Sequence, residues 1–312
     1  MVAMTHAPRR MSPTQIADHA TQHRKDCCPF DPDIPIDYSK PFLCPSLTAL
    51  YYTSIWEELS VEDQIRYTQL SAMSFNEMTA WFEQGFSATL LVLSQSARVA
   101  PELRVLLSAF IEDEGRHQAI WWALNRCADP ARYKRDTPAI TRIAPIARTL
   151  MKWLAKRPLE YPVAVWLMLI LEEHGNEIAR RCAMRRPDEI EQHFAAAYLA
   201  HVRDETRHVQ IDWHLLDSLW PRLDGWRLQV NIRLFRLIIG RLLFSTEHAA
   251  ISVTAELIRE RPGLRRLQPR IRAELRQVGQ HAEFRSMLFS AESSPIAFHL
   301  LERFPDLQSA LA

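Results

Sequence analysis

From about residue 60 onward the apolar residues recur every three or four positions, the period of helices buried along one face, and almost nowhere alternate as a half-buried strand would. Helix-start signals punctuate the pattern: "SVEDQ" at Ser60, Pro101-Glu102, and Pro187-Asp188-Glu189. The spacing predicts helices over about 61–98, 101–127, 138–156, 159–183, 187–219, 225–260 and 264–289, with a short one near 294–303. "ADPARYKRDTP" and "WPRLDG" read as connections between them. Together these elements predict an all-α bundle. Residues 1–45 carry proline and charge without periodicity and read as an extended N-terminal arm, leaving 46–312 as one undivided helical domain.

No apolar run reaches the roughly 20 residues that span a bilayer. The longest, "YPVAVWLMLIL" from Tyr161 to Leu171, stops at two glutamates. The N-terminal residues lack the apolar core of a secretion signal, so a cytoplasmic location is expected. A net charge of +1 over 312 residues argues against a nucleic-acid or membrane-surface partner and for a small molecule. Seven glycines are too few for Gly-rich phosphate loops. Five cysteines, Cys27, Cys28, Cys44, Cys127 and Cys182, are odd in number and show no CxxC spacing, so they read as reduced thiols. The arginines between residues 222 and 285 read as a solvated helical face; they are also where a partner for a substrate carboxylate would be sought.

The chemistry lies in a repeat. "IEDEGRH" (111–117) returns in outline as "VRDETRH" (202–208), with Asp113, Glu114, Arg116 and His117 each 91 residues before Asp204, Glu205, Arg207 and His208. Helix positions three apart are about 60° apart in projection, so each Glu-x-x-His can bring a carboxylate and an imidazole to one ion. That donor mixture suits iron, manganese or zinc. A metal-bound histidine commonly donates its other N–H to an acceptor, a role open to Asp113 and Asp204, and forked arginines, Arg116 and Arg207, can hold those carboxylates.

A two-metal bundle site needs one carboxylate from each of two further helices. Glu83 lies 31 residues before Glu114, and Glu173 lies 32 before Glu205, directly after the most apolar run. A carboxylate there is costly unless neutralised, and a metal neutralises it. The 91-residue offset carries Glu83 to position 174 but Glu77 to Met168, which favours Glu83 over Glu77. Glu172 and Glu177 stand as rivals to Glu173. His201 is seven residues before His208, on the same face, and can add a nitrogen donor where the first copy has Phe110. Asp212 continues that face and can orient a donor.

Paired Asp-Glu-x-Arg-His motifs in an all-helical chain resemble the ferritin-like non-haem diiron carboxylate proteins. With His-x-x-x-Glu-x-x-His in the second copy, the chain resembles more narrowly the p-aminobenzoate N-oxygenase family, over about residues 60–290. The resemblance implies a ferritin-like bundle with extra C-terminal helices, two iron ions, and O₂ as cosubstrate. It implies Glu83, Glu114 and His117 around one iron, and Glu173, His201, Glu205 and His208 completing the other. The implied activity is N-oxygenation of an aryl amine or amino-acid-like amine in specialised metabolism. The same centre in a C–H hydroxylase or desaturase is the alternative, ahead of a ferroxidase or a radical-generating subunit using Tyr198. No flavin, nicotinamide or iron–sulfur motif is present, so electrons are expected from a ferredoxin or a flavin-linked reductase. A homodimer is the default assembly.

Overall fold

A computed structural model describes residues 8–23, 28–183, 189–242 and 247–308, and among these there are helices and no strand. The four central helices are α2 (Val61–Ser94), α3 (Pro101–Ala128), α5 (Val163–Ala183) and α6 (Gln192–Leu219); α1 (Pro13–His23) precedes them and α4 (Pro145–Ala155) lies in the long connection between α3 and α5. Two hairpins, α2–α3 and α5–α6, are thus joined by one crossover, the all-α ferritin-like arrangement expected from the repeat. Asn76 donates to Asn125 while Glu83 meets Trp121, so α2 and α3 run antiparallel. Asp113 meets His208 and His117 meets Asp204, so α3 and α6 do as well.

The start signals act as local chemistry predicts. Ser60 accepts the N–H of Asp63 at the head of α2, and Pro101 occupies the first turn of α3, where a missing N–H costs nothing. The start expected at Pro187 and Asp188 lies outside the described residues; α6 begins at Gln192, capped by buried Glu191, which accepts from the N–H groups of His193 and Phe194. The helix expected from 138 begins only at Pro145. Buried Glu77 takes the N–H groups of Ala139, Ile140 and Thr141 at 2.8, 3.0 and 2.6 Å and the Tyr133 hydroxyl at 2.7 Å, and so holds that stretch out of helix. Gly85 lets α4 approach α2, since a Cβ there would stand 3.0 Å from Met151 Cγ.

The segment expected as one helix over 225–260 comprises α7 (Gly225–Leu242) and α8 (Glu247–Glu260), with the residues between them outside the description. The segment expected over 264–289 is broken into α9 (Gln268–Leu275) and α10 (Ala282–Leu288), interrupted by a short 3₁₀ turn containing Gly279, a poor helix former. Then follow α11 (Pro295–Arg303) and α12 (Pro305–Gln308). The N-terminal arm carries α1, packed on α6 and α3 with Ile16 buried, and residues 28–44 run through turns, burying Phe30 and Phe42. Cys27 lies outside the described residues; the other four cysteines form no disulfide.

Apolar packing divides into two clusters, one around Tyr67, Met73, Leu124 and Phe194 and the other around Phe86, Leu107, Trp166 and Leu216. These lie toward opposite ends of the four central helices. Between them sits a band of buried polar side chains. No described helix is long and apolar enough to cross a membrane.

Candidate metal centre

Glu83 from α2, Glu114 and His117 from α3, Glu172 from α5, and His201, Glu205 and His208 from α6 converge in that band, all buried. Donor atoms of Glu114, His117, Glu205 and His208 lie within 4.8 Å of one another, as do those of Glu83, His117 and His201. The two halves mirror each other: His117 Nδ1 is 3.8 Å from Glu83 Oε1, and His208 Nδ1 is 3.8 Å from Glu172 Oε2. Glu205 lies between them, with Oε1 3.4 Å from His117 Nδ1 and Oε2 3.3 Å from His208 Nδ1.

The outer nitrogens are held crosswise. His117 Nε2 meets Asp204 at 3.1 Å and His208 Nε2 meets Asp113 at 3.4 Å, each aspartate coming from the other copy of the motif. Both arginines bridge both aspartates, Arg116 at 2.9 and 2.5 Å and Arg207 at 2.6 and 2.9 Å. Against the opposing effect of burial, the hydrogen bond from His208 and the charges of His208 and Arg207 hold Asp113 well below the usual carboxylate range. Asp204 is held down likewise by His117, Arg207 and Arg116. Both aspartates therefore stay ionised, and each turns its histidine's Nδ1 inward.

Inside the ring of donors the balance is reversed. Burial, then the neighbouring Glu172 and Glu83, push Glu114 well above its ordinary value, and burial followed by Glu172 does the same to Asp212. His208 overcomes its own burial through Asp113 and Glu172 and is raised to about 10. Burial depresses His201. Among the described residues, both Glu114 oxygens and one oxygen each of Glu83, Glu172 and Glu205 have no hydrogen-bond partner, nor has His117 Nδ1. Buried carboxylates clustered without partners are costly, and divalent cations are the compensation that this mixed carboxylate and imidazole set fits.

Two expectations are corrected. Glu173 is buried, but its oxygens accept the N–H groups of Ile296 and Ala297 at 2.7 and 2.9 Å, fastening the first turn of α11 to α5. Burial outweighs these two bonds and raises its pKa to about 8, so it is compensated without the donor group, and Glu172, about 100° round the helix, faces inward instead. Helix packing offered the missed signal. Gly175 is one turn beyond Glu172 on the same face, where a Cβ would stand 3.8 Å from His201 Cε1.

His201, expected with His208, stands instead on the other side of Glu205, with Nε2 3.3 Å from Glu83 and its ring 4.6 Å from that of His117. Phe110, its counterpart by the offset, stacks on His208 at 3.7 Å. The break in the repeat thus places a nitrogen donor against one histidine and a phenyl ring against the other. A second break has the same form. Trp121 donates to Glu83 at 2.9 Å, whereas its counterpart by the offset, Asp212, lies toward Glu172 and His208 with both oxygens buried and unpartnered.

The rival carboxylates are engaged elsewhere, Glu77 as described above and Glu177 with Arg180 and Arg181. Tyr198 is outside the donor group, its ring 6.0 Å from that of Trp121 and its hydroxyl without a hydrogen-bond partner.

Over residues 14–290 the chain matches the family described as P-aminobenzoate N-oxygenase AurF. Comparison with curated proteins finds no match.

Proposed function

The chain belongs to the P-aminobenzoate N-oxygenase AurF family, and on that footing we propose that it inserts oxygen into the N–H bond of an aryl amine. The protein is an O₂-dependent oxygenase of this family. In the proposed reaction one atom of O₂ enters the amine to give a hydroxylamine. The other leaves as water, with two electrons and two protons supplied by a ferredoxin or a flavin-linked reductase.

Two iron ions would be held by Glu83, Glu114, His117, Glu172, His201, Glu205 and His208. When bound, they supply the redox equivalents and open coordination that O₂ activation requires. The protein's own contribution is preorganisation. Asp204 and Asp113 fix the tautomers of His117 and His208, and Arg116 and Arg207 lock both aspartates. The apolar clusters at either end keep bulk water from the band between them. Trp121 restrains Glu83 through one oxygen and leaves the other without a partner.

The observation that carries this reading is the convergence of unpartnered carboxylate oxygens with three imidazoles. Anaerobic loading with ferrous iron should take up two equivalents. Exposure to ¹⁸O₂ with an aryl amine and a reductant should then give a hydroxylamine carrying one labelled atom. Oxygen consumption with no labelled N–O product would remove the N-oxygenase reading.

A further inference from the structure

Two cavities reach the donor group. The larger, about 260 Å³, opens between α3 and α6 and meets His117, His201 and Trp121, with Arg116 and Arg203 beside it. Arg116 and the outer nitrogen of His117 are already committed to Asp204. The smaller, about 140 Å³, lies between α2 and α5. Phe75, Phe82 and Phe86, with Met78 and Leu171, form its apolar lining. Glu83 and Glu172 also line it, and each has a buried oxygen without a partner. The unpartnered oxygens of Glu83 and Glu172 thus border the smaller cavity and not the larger.

We propose that the cavity between α2 and α5 seats the ring of an uncharged, single-ring aryl amine, with the amino group toward Glu83 and Glu172. This inference rests on the N-oxygenase reading and narrows its substrate.

Size and charge argue for it separately. An apolar protein cavity of about 150 Å³ accepts one benzene ring, and at about 140 Å³ this one matches a single ring and not two fused ones. Among the described residues no lysine or arginine lines it, and no described arginine after residue 222 lines either cavity. A carboxylate moved from water into such a site without a partner pays a large desolvation penalty. The donor group provides no surplus positive charge either, since four glutamates and two divalent ions sum to zero. His174 also lines the cavity, and its Nδ1 is buried without a partner. Because the other ring nitrogen bonds the Leu288 backbone, Nδ1 is left to accept one hydrogen bond from a neutral group. The amine in the family's name carries a carboxylate at neutral pH, and among the described residues this cavity has no lysine or arginine to receive it.

The test compares p-anisidine, p-aminobenzoate and 2-naphthylamine by anaerobic calorimetry on the ferrous protein, so that binding is read without turnover. Expected is at least about tenfold tighter binding of p-anisidine than of either other amine, the difference between a fitted neutral ring and one with an unpaired charge or excess volume. Half-exposed Thr79 on the lining accommodates an added side chain, and Thr79→Arg should narrow the gap between p-anisidine and p-aminobenzoate. Equal or tighter binding of p-aminobenzoate to the unaltered protein overturns the charge argument, and equal binding of 2-naphthylamine overturns the size argument. Product assays then separate the two readings. If p-anisidine binds tightly but yields no hydroxylamine, the N-oxygenase reading falls, and the inference built on it falls as a statement about substrate. If p-aminobenzoate is the better oxidised amine, that reading stands and the inference alone fails.

Discussion

His117 and Asp204 come from opposite copies of one motif, yet His117 Nε2 and Asp204 Oδ2 are 3.1 Å apart in the folded chain. With His208 and Asp113 in the matching arrangement, each half of the repeat is completed by the other.

Asp204→Asn keeps the shape of the side chain but removes the charge that holds His117, Arg116 and Arg207. Metal affinity should fall by about 10- to 100-fold, as is usual when the partner of a liganding histidine is lost. Competition with a chromophoric chelator measures this; an unchanged affinity would show that the crosswise pairing does not tune the centre.

Neighbouring glutamates should separate cleanly. Glu172→Ala should lose metal while the apoprotein melts as before or at a higher temperature, because a buried carboxylate without a full set of partners has been removed. Glu173→Ala should keep its metal and lose about 1–2 kcal/mol of stability, the scale of a helix cap, by stranding the N–H groups of Ile296 and Ala297. Metal content and thermal melts on both variants decide the assignment; metal loss in Glu173→Ala alone would reverse it.

His201→Ala should weaken one metal position and spare the other. The affected position is the one beside Glu83 and His117, and a loss of about tenfold or more is expected, since outer partners alone are worth that much. A stepwise cobalt titration followed by absorption should resolve the two positions. Equal weakening of both would place His201 where the sequence alone suggested.

Metal uptake should depend on pH with a definite sign. The His208 pKa is raised to about 10 in the folded apoprotein, so between about pH 6.5 and 10 it holds a proton that an unperturbed imidazole would have lost. Binding must displace that proton. Apparent affinity should therefore rise with pH across this window, with proton release detectable as a dependence of calorimetric enthalpy on the buffer. Affinity that falls as pH rises from 6.5 to 8 would contradict the assignment of His208 as a donor.

Glu77→Ala tests the opposite case, a buried glutamate with a structural task. It leaves three backbone N–H groups and the Tyr133 hydroxyl without their acceptor, and at about 1–3 kcal/mol for each of these four groups the loss should be at least about 4 kcal/mol. Urea unfolding gives the stability and metal analysis gives the content, which should remain at two equivalents.

Much of the centre was legible because helices convert spacing into direction. Glu114, His117, Glu205 and His208 followed from a three-residue interval, and the 91-residue offset distinguished Glu83 from Glu77 without any knowledge of packing. Glu173 was misread for an instructive reason. The apolar run before it does imply a buried carboxylate in need of partners, but a helix N-terminus 123 residues away engages both its oxygens, and no local pattern announces that contact. His201 was misplaced because one helical face looks in one direction on paper. In space α6 crosses antiparallel to α3, so donors spaced along it are dealt to different neighbours.

By itself the sequence determined the four central helices in outline, the duplication and the kinds of donor side chain in the centre, since these depend on periodicity and on which atoms a side chain carries; it did not show α1 in the arm or the breaks before Pro145 and after Leu275. Only the tertiary structure decided which of two adjacent glutamates turns inward, which aspartate serves which histidine, and which cavity meets the uncommitted carboxylates. Those choices are made by contacts between chain segments roughly 90 to 120 residues apart, where the energies of burial and pairing are settled jointly by both partners.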